Sequence, residues 1–155
     1  PTIEDKFMTV MDIDGKAVTI NILDTAGQDH YQGLIDMWIT SGDGFLLVFA
    51  LNDRESFVDL NRKKSKIDAI KTKTKTPIIL VGNKCDLENQ RQVSKKEGEE
   101  KARQWGAVYY ETSAKNDILC DEPFIECSRQ LLKKDIGSSK KEVNKSSGGC
   151  CCVVY

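Results

Sequence analysis

Two uninterrupted apolar runs, Gly44–Ala50 and residues 77–82, constrain the fold of this chain more than any other feature. Short apolar runs without alternation are typical of strands that are buried on both faces of a parallel sheet. Parallel neighbours need a long crossover connection, and residues 55–71, which join the two runs, have a helical pattern. The sequence therefore predicts an α/β domain built on a parallel sheet.

The remaining segments extend this architecture. Alternating apolar residues flank Asp14-Gly15, a dipeptide that tolerates positive φ, and they predict an antiparallel hairpin over residues 6–13 and 17–23. A weaker strand is predicted over residues 107–110. Helices are predicted over 94–105, which begins with a capping-box pattern, and over 122–134, where Pro123 is tolerated only in the first turn. We expect a doubly wound, mostly parallel sheet with helices on both faces.

The composition divides the chain at residue 135. Residues 1–134 have the size of a single domain, since domains cluster near 100–150 residues. From 135 to 155 the chain turns to Gly, Ser and Lys, with no apolar periodicity before a run of cysteines, so we expect a flexible tail. A net charge of −1 supplies no global field toward nucleic acid, and we expect no nucleic-acid partner.

The six cysteines do not suggest a disulfide scaffold. Three are scattered and three are adjacent near the end of the chain, an arrangement poorly suited to structural bridges. We expect reduced thiols in the cytosol. The longest apolar run, residues 45–51, is too short to span a bilayer.

Polar residues follow directly after a predicted strand in the string Leu-Asp-Thr-Ala-Gly-Gln at residues 23–28. Ligands of α/β sheets bind at this carboxyl edge, and the carboxylate of Asp24 can hold Mg²⁺ there. Gly27 lets its backbone N–H approach a phosphate oxygen. The amide of Gln28 can both donate and accept a hydrogen bond, as is needed to orient an attacking water.

Two further strings end the next predicted strands. In Val-Gly-Asn-Lys-Cys-Asp, residues 81–86, the Asp86 carboxylate can accept both hydrogen bonds that guanine offers and adenine does not. Asn83 would brace this loop, and the stem of Lys84 would pack on the base. In Glu-Thr-Ser-Ala-Lys, residues 111–115, backbone N–H groups could meet the guanine carbonyl.

With their order and spacing, these strings resemble the Ras family of small GTPases over residues 1–134. Pro-Thr-Ile-Glu-Asp at the start of the chain resembles the family's switch I. The resemblance implies that Thr2 binds Mg²⁺ together with Asp24, and that Gln28 is the catalytic residue. It implies a nucleotide site formed by Thr2, Asp24, Thr25, Ala26, Gly27, Asn83, Lys84, Asp86, Ser113, Ala114 and Lys115. It also implies an effector segment formed by Pro1, Thr2, Ile3, Glu4, Asp5, Lys6 and Phe7.

The chain departs from the family pattern in its phosphate-binding loop. The only Gly-Lys pair, Gly15-Lys16, lacks the Gly five residues earlier and is followed by Ala17 instead of Ser or Thr. We therefore expect an incomplete small G-protein fold that lacks its first strand, phosphate-binding loop and first helix. The absent strand would leave the sheet open between residues 17–23 and Gly44–Ala50. Residues 1–155 alone are then expected not to bind GTP measurably.

The end of the chain resembles a lipidation motif. Cys152-Val153-Val154-Tyr155 has the form of a prenylation signal, although Tyr is outside its usual terminal residues. Cys150 and Cys151 are candidates for a second lipid, which stable anchoring needs. We expect the intact protein at the cytoplasmic face of the plasma membrane.

The resemblance implies a small monomeric GTPase that acts as a switch in signal transduction, with GTP as substrate, GDP as product and Mg²⁺ as cofactor. Effector proteins, an exchange factor and a GTPase-activating protein would be its partners. Two alternatives stay open, a nucleotide-independent interaction module and a non-functional fragment. The residues do not distinguish Ras from Rap, Ral or Rheb. Ile35 stands where Ras itself has Arg.

Overall fold

A computed structural model describes residues 4–25, 32–137 and 150–155. In these residues the chain forms strands and helices in the order β1 Glu4–Ile13, β2 Lys16–Thr25, α1 Gln32–Ser41, β3 Gly44–Ala50, α2 Arg54–Ile70, β4 Ile78–Asn83, α3 Lys95–Trp105, β5 Val108–Glu111, α4 Glu122–Gly137 and β6 Cys150–Val154. A short 3₁₀ turn, Glu88–Gln90, lies between β4 and α3.

The strands form one sheet in the order β1-β2-β6-β3-β4-β5. The β1 and β2 strands are antiparallel, and each remaining neighbouring pair is parallel. The hairpin turns at Asp14 and Gly15, with φ of 53° and 86°. This confirms the predicted α/β fold with a mostly parallel sheet.

The helix boundaries follow the capping residues. Asp53 accepts hydrogen bonds from the first turn of α2, and Ser94 and Glu97 form both bonds of a capping box at α3. Gly106, with φ of 63°, ends α3 in the left-handed conformation. Pro123 is the second residue of α4, as predicted, so its missing N–H costs no helical hydrogen bond.

Alternate residues of β3 enter two separate cores. Phe45, Leu47 and Phe49 belong to a cluster that includes buried residues of α1, α2 and α3, whereas Leu46 belongs to a cluster with residues of α4. Because both faces of the strand are covered, its sequence is apolar without alternation. Ile35 is 1% exposed in the first cluster, where a charged side chain would be poorly accommodated.

The predicted opening in the middle of the sheet is not found. The β6 strand lies there, between β2 and β3, and pairs with β2 from Ile20 to Asp24. The expectation of two uncovered inner edges is therefore wrong. Unpaired backbone groups in a sheet interior are costly, and this segment contains β-branched Val153 and Val154, which favour extended structure.

The structure differs from a wholly flexible tail over residues 135–155. The α4 helix continues to Gly137, and Cys150–Val154 forms β6. Residues 138–149 lie outside the described part of the chain. Among the described residues, the helices lack the length and apolar character that crossing a bilayer requires.

Candidate functional site

The loops after β4 and β5 are joined by the side chain of Asn83. Its Oδ1 accepts hydrogen bonds from the N–H of Lys84 at 2.8 Å, from Oγ1 of Thr112 at 3.3 Å and from the N–H of Ala114 at 3.4 Å. Lys84 has a φ of 66°, which turns the chain sharply after the strand. Asn83 thus occupies the bracing position that the sequence suggested.

Asp86 and Ser113 are in direct contact. Ser113 is fully buried, and its Oγ donates a hydrogen bond of 2.6 Å to Oδ1 of Asp86. The same Oγ accepts from the N–H of Asn116 at 3.2 Å, which fixes the direction of its proton. Ser113 engages one carboxylate oxygen, so Asp86 is held in a defined orientation and its second oxygen can accept hydrogen bonds from a ligand.

Backbone hydrogen bonds continue the pairing of β4 and β5 beyond the strands. Thr112 donates to the carbonyl of Gly82 at 2.8 Å, and Cys85 donates to the carbonyl of Thr112 at 3.0 Å. Ala114 and Lys115 then lie exposed at the carboxyl edge of the sheet. The structure therefore brings five predicted base-binding positions, Asn83, Asp86, Ser113, Ala114 and Lys115, to one edge.

A partly buried ion pair that the sequence did not reveal supports this edge. Two guanidinium nitrogens of Arg91 each donate a 2.9 Å hydrogen bond to a different carboxylate oxygen of Glu111. The two side chains are only 18% and 17% exposed. Tyr109 donates a third hydrogen bond, also 2.9 Å, to Glu111. Arg91 is separated from Glu111 by twenty positions, so no local pattern connected them.

The protonation of this cluster follows from its contacts. Burial raises the pKa of Glu111, but the hydrogen bonds from Arg91 and Tyr109 outweigh burial and leave that pKa below its ordinary value. Burial and the hydrogen bond to Glu111 raise the pKa of the Tyr109 hydroxyl. Both effects keep Tyr109 a neutral donor and Glu111 an ionised acceptor at neutral pH. These contacts hold the first residue of the Glu-Thr-Ser-Ala-Lys loop in place.

Tyr109 is also enclosed by two glycines. A Cβ placed on Gly82 would lie 2.7 Å from the Tyr109 hydroxyl, and one placed on Gly98 of α3 would overlap the Tyr109 ring. The helix can approach β5 this closely only because Gly98 has no side chain.

Gly98→Ala should therefore destabilise the protein by about 1–3 kcal/mol through overpacking. Gly33→Ala is the matched control, because Gly33 also lies in a helix and a Cβ there would meet nothing within 4 Å. The control should be neutral or stabilising by up to about 1 kcal/mol through its higher helix propensity. Urea unfolding monitored by circular dichroism gives both values, and equal effects would contradict the close approach at Tyr109.

The end of β2 forms a second part of the candidate site. Asp24 is exposed and lies opposite Asp5 in the β1–β2 register. Partial burial and the charge of Asp5 raise the pKa of Asp24. Thr25 is nearly buried, and its hydroxyl donates a 2.7 Å hydrogen bond to the carbonyl of Val154 in β6. The remaining predicted residues here, Pro1, Thr2, Ile3, Ala26, Gly27 and Gln28, lie outside the described residues.

Sequence comparison identifies the protein family of this chain. The Ras family profile matches residues 1–133, which contain every part of the candidate nucleotide site. The chain belongs to the Ras family of small GTPases. This membership supports a role in signalling.

Several curated relatives align with nearly the whole chain. Ras-like protein rasB of Dictyostelium discoideum is 41% identical over 99% of this chain and 82% of its own length. A Ras-like protein of Laccaria bicolor is 38% identical over 99% of this chain and 81% of its own length. Ras-related protein R-Ras of Mus musculus is 39% identical over 99% of this chain and 72% of its own length.

The donor chemistry of Asp24 in this Ras-family chain fits Mg²⁺. Magnesium prefers hard oxygen ligands such as carboxylates, and the nearby charge of Asp5 adds to the negative potential. In the described part of the chain, no three His, Cys, Asp or Glu residues form a group that could hold a metal ion by themselves. The predicted partner ligand, Thr2, lies outside the described residues.

The structure describes the predicted effector segment from Glu4 onward. It begins β1, which is one of the two outer strands of the sheet and, among the described strands, pairs with β2 alone. Trp38 of α1 donates a 2.6 Å hydrogen bond to the carboxylate of Glu4, which ties this segment to the first helix. Phe7 and Met37 are each more than half exposed beside a groove of about 560 Å³.

Neither of two cavities in the described part of the chain lies at the edge that holds the predicted base-binding residues. A cavity of about 390 Å³ lies at the opposite edge of the sheet, beside Pro77 and Ile78, and the 560 Å³ groove lies between β1 and α1. The candidate base site therefore rests on the convergence of Asn83, Asp86 and Ser113, since loop atoms that present hydrogen-bonding groups to a flat base need no deep cavity.

The predicted lipidation residues lie in or beside β6. Cys151 is partly buried and Cys152 is fully buried, whereas Cys150 is described only as part of the strand. Cys152 packs in the cluster that contains Cys127 of α4. In this conformation the thiol of Cys152 is shielded from any modifying enzyme.

Proposed function

We propose that this protein is a GTP-binding and GTP-hydrolysing switch in signal transduction. The proposal rests on one observation above all, the Asp86 carboxylate oriented by Ser113 beside the loop that Asn83 braces. These groups lie at the carboxyl edge of parallel strands, where α/β proteins bind their ligands.

The geometry supports selection of guanine. The Asp86 carboxylate can accept hydrogen bonds from the N1–H and the exocyclic amine of guanine, whereas adenine presents no equivalent pair of donors. The exposed backbone near Ala114 and Lys115 can donate to the guanine carbonyl, and the stem of exposed Lys84 can cover one face of the base.

Hydrolysis would use residues at the other end of the site. Asp24 and Thr2 would hold Mg²⁺, which neutralises charge on the phosphates when it is bound. Gln28 would orient the attacking water, and Thr2 and Gly27 would contact the γ-phosphate. The string G-x-x-x-x-G-K-[ST] does not occur in the 155 residues. For residues 1–155 alone we therefore propose base recognition that is too weak to hold GTP at micromolar concentration, and no measurable hydrolysis.

A titration with mononucleotides tests base recognition directly. In amide-resolved NMR spectra, GMP at millimolar concentration should shift the resonances of Asn83, Asp86, Ser113 and Ala114, and AMP should leave them unchanged. Because GMP and AMP each carry one phosphate, a difference between their effects reports on the base. Equal shifts with AMP and GMP, or shifts confined to other residues, would contradict guanine selection.

Ser113→Ala should lower the affinity for GMP about 5- to 10-fold, because one hydrogen bond that orients Asp86 contributes about 1 kcal/mol. Ser41→Ala is a suitable control, since the Ser41 hydroxyl donates to the carbonyl of Trp38 within α1 and lies at another part of the fold. Affinities come from the same NMR titration. An unchanged value for Ser113→Ala would show that the serine does not position Asp86.

Recognition by effectors is proposed at the start of β1. Glu4, Asp5, Lys6 and Phe7 lie on an outer strand. Within the described residues no strand covers its outer edge, so this edge and the exposed Phe7 are available to a partner. An exchange factor and a GTPase-activating protein complete the proposed set of partners.

Membrane anchoring through lipids on Cys152 and on Cys150 or Cys151 is the last part of the proposal, at the cytoplasmic face of the plasma membrane. It is supported by the three adjacent cysteines and by the Lys-rich segment before them. The burial of Cys152 adds a condition, because β6 must leave the sheet before this thiol can be modified.

A further inference from the structure

We propose that the cavity at the edge of the sheet opposite the predicted base-binding residues is a second binding site, for a small ring that carries two or three phosphate groups. Inositol phosphates have this chemistry, either free or as the headgroup of a lipid. The cavity has a volume of about 390 Å³, which suits one small ligand. The described residues that line it include none of the predicted nucleotide-binding residues.

Three helices and a connection contribute to the wall of this cavity. Ile67 near the end of α2, Trp105 at the end of α3 and Lys134 in the last turn of α4 all line it. The connection from α2 to β4 adds residues 74–77, and buried Ile78 begins β4. Because the wall belongs to elements that pack on the sheet, the cavity is present without a ligand.

The charged groups of the lining favour an anion. Four lysines and one aspartate give the lining a net side-chain charge of +3, and the lysines are Lys64, Lys71, Lys75 and Lys134. Both carboxylate oxygens of Asp68 lie 2.6 Å from the ammonium group of Lys64. A cation would therefore have to displace Lys64 from this aspartate, whereas an anion would meet three further ammonium groups.

Those three ammonium groups have no carboxylate partner among the described residues. Lys71 donates to the backbone carbonyl of Thr40 at 2.8 Å, which leaves its charge uncompensated. Lys134 and Lys71 lie at the ends of α4 and α2, where the helix dipole favours a cation, but Lys75 belongs to neither helix. Like charges around one cavity repel one another, so an anion between them would be stabilised.

Phosphate groups match this charge better than carboxylates do. A phosphate monoester carries about −1.5 to −2 at neutral pH, so two of them balance the lining and a single carboxylate does not. Lysine binds phosphate as a point charge and needs no fixed geometry. The hydroxyls of Thr74 and Thr76, which lie 3.4 Å apart in the same lining, can donate to further phosphate oxygens.

The apolar part of the lining can hold the body of the ligand. The Trp105 ring is partly buried, and the ammonium groups of Lys101 and Lys64 lie 5.1 Å and 5.9 Å from its centre, within the range of cation–π interactions. Together with Ile67 and Pro77, this ring offers a fixed surface to the carbon face of a small ring. Inorganic phosphate would use the ammonium groups alone.

A titration of the full chain with inositol trisphosphate tests the site. In amide NMR spectra this ligand should shift the resonances of Lys71, Lys75, Trp105 and Lys134. It should bind at least about 10-fold more tightly than inorganic phosphate, because one more hydrogen bond between charged groups already contributes that factor. Equal affinity for the two ligands, or shifts confined to other residues, would overturn the proposal.

A double substitution tests the lysines. Lys75→Gln combined with Lys134→Gln should weaken the binding of inositol trisphosphate at least about 10-fold, and both side chains belong to exposed residues, so the fold should be retained. The matched control combines Lys16→Gln with Lys96→Gln, which changes the net charge equally at exposed residues of β2 and the start of α3. Equal losses in the two double variants would show an effect of net charge alone and would contradict the site.

Vesicles distinguish a lipid headgroup from a free ligand. If the source is a lipid, phosphatidylcholine vesicles with phosphatidylinositol bisphosphate should bind the chain at least about 10-fold more tightly than phosphatidylserine vesicles of equal charge, because these lysines each add to the attraction. If the source is soluble, inositol trisphosphate binds and the two kinds of vesicle bind the chain equally. Failure of both the free ligand and the bisphosphate vesicles would refute the proposal. No guanine nucleotide is present, so the result is independent of the proposed guanine site.

Discussion

Asp86→Asn should lower the affinity for GMP at least about 100-fold, since a hydrogen bond to a charged acceptor contributes about 1.5–3 kcal/mol and two such bonds are affected. The amide of Asn presents an N–H₂ group where the carboxylate presented an acceptor, so one guanine donor would face another donor. Ser113, which donates to Oδ1 in the wild type, would still find an acceptor in the amide oxygen. The expected loss therefore reports on the ligand and not on the local fold.

The same variant should gain affinity for xanthosine monophosphate, which presents a carbonyl where guanine has its amine. Asp68→Asn is the control with the same chemical change, because Asp68 lies on α2 beside the cavity at the opposite edge of the sheet. Amide NMR titrations with GMP and with xanthosine monophosphate give the affinities of the wild type, Asp86→Asn and Asp68→Asn. Equal GMP affinity in wild type and Asp86→Asn would exclude Asp86 as the guanine-selecting residue.

Arg91→Met should destabilise the folded protein by about 3 kcal/mol, because it leaves the largely buried carboxylate of Glu111 without its paired charge. Tyr109 would still donate one hydrogen bond to Glu111, which keeps the expected loss at the lower end for buried ion pairs. Urea unfolding at neutral pH gives the free energy of unfolding. A change below about 0.5 kcal/mol would show that this pair does not support the loop.

The pH dependence of this effect has a definite sign. The folded-state pKa of Glu111 lies below its ordinary value of 4.5, so its contribution to stability is present above that value and is lost as pH falls through the folded-state pKa. Without Arg91, the pKa of Glu111 would lie higher, because the hydrogen bonds and charge of Arg91 would no longer oppose the effect of burial. The stability difference between wild type and Arg91→Met should therefore be largest near neutral pH and shrink below about pH 4.

Arg103→Met is the matched control for the ion pair. Arg103 contacts Glu100 one turn away on α3 at 3.7 Å, with side chains that are 79% and 52% exposed. An exposed pair of this kind contributes less than about 1 kcal/mol, so this variant should retain nearly the wild-type stability at every pH tested.

Local sequence patterns determined most of the fold of this protein. The apolar runs at Gly44–Ala50 and residues 77–82 predicted two buried strands of a parallel sheet, and the structure has β3 over Gly44–Ala50 and β4 over Ile78–Asn83. Capping residues such as Asp53 and Ser94 act within one helical turn, and so their effect can be read without the tertiary structure. The strings that end β4 and β5 were also sufficient to place Asn83, Asp86 and Ser113 at one edge of the sheet.

Tertiary structure alone decided two features. The Arg91–Glu111 pair depends on how the turn after β4 folds against β5, and charged residues at an irregular spacing carry no periodic signal. The insertion of Cys150–Val154 between β2 and β3 depends on a vacancy in the sheet that no local pattern describes. The short apolar segment there could extend, lie exposed or carry a lipid, and its conformation is set by the two unpaired strand edges that it covers, because a strand is stabilised by its neighbours.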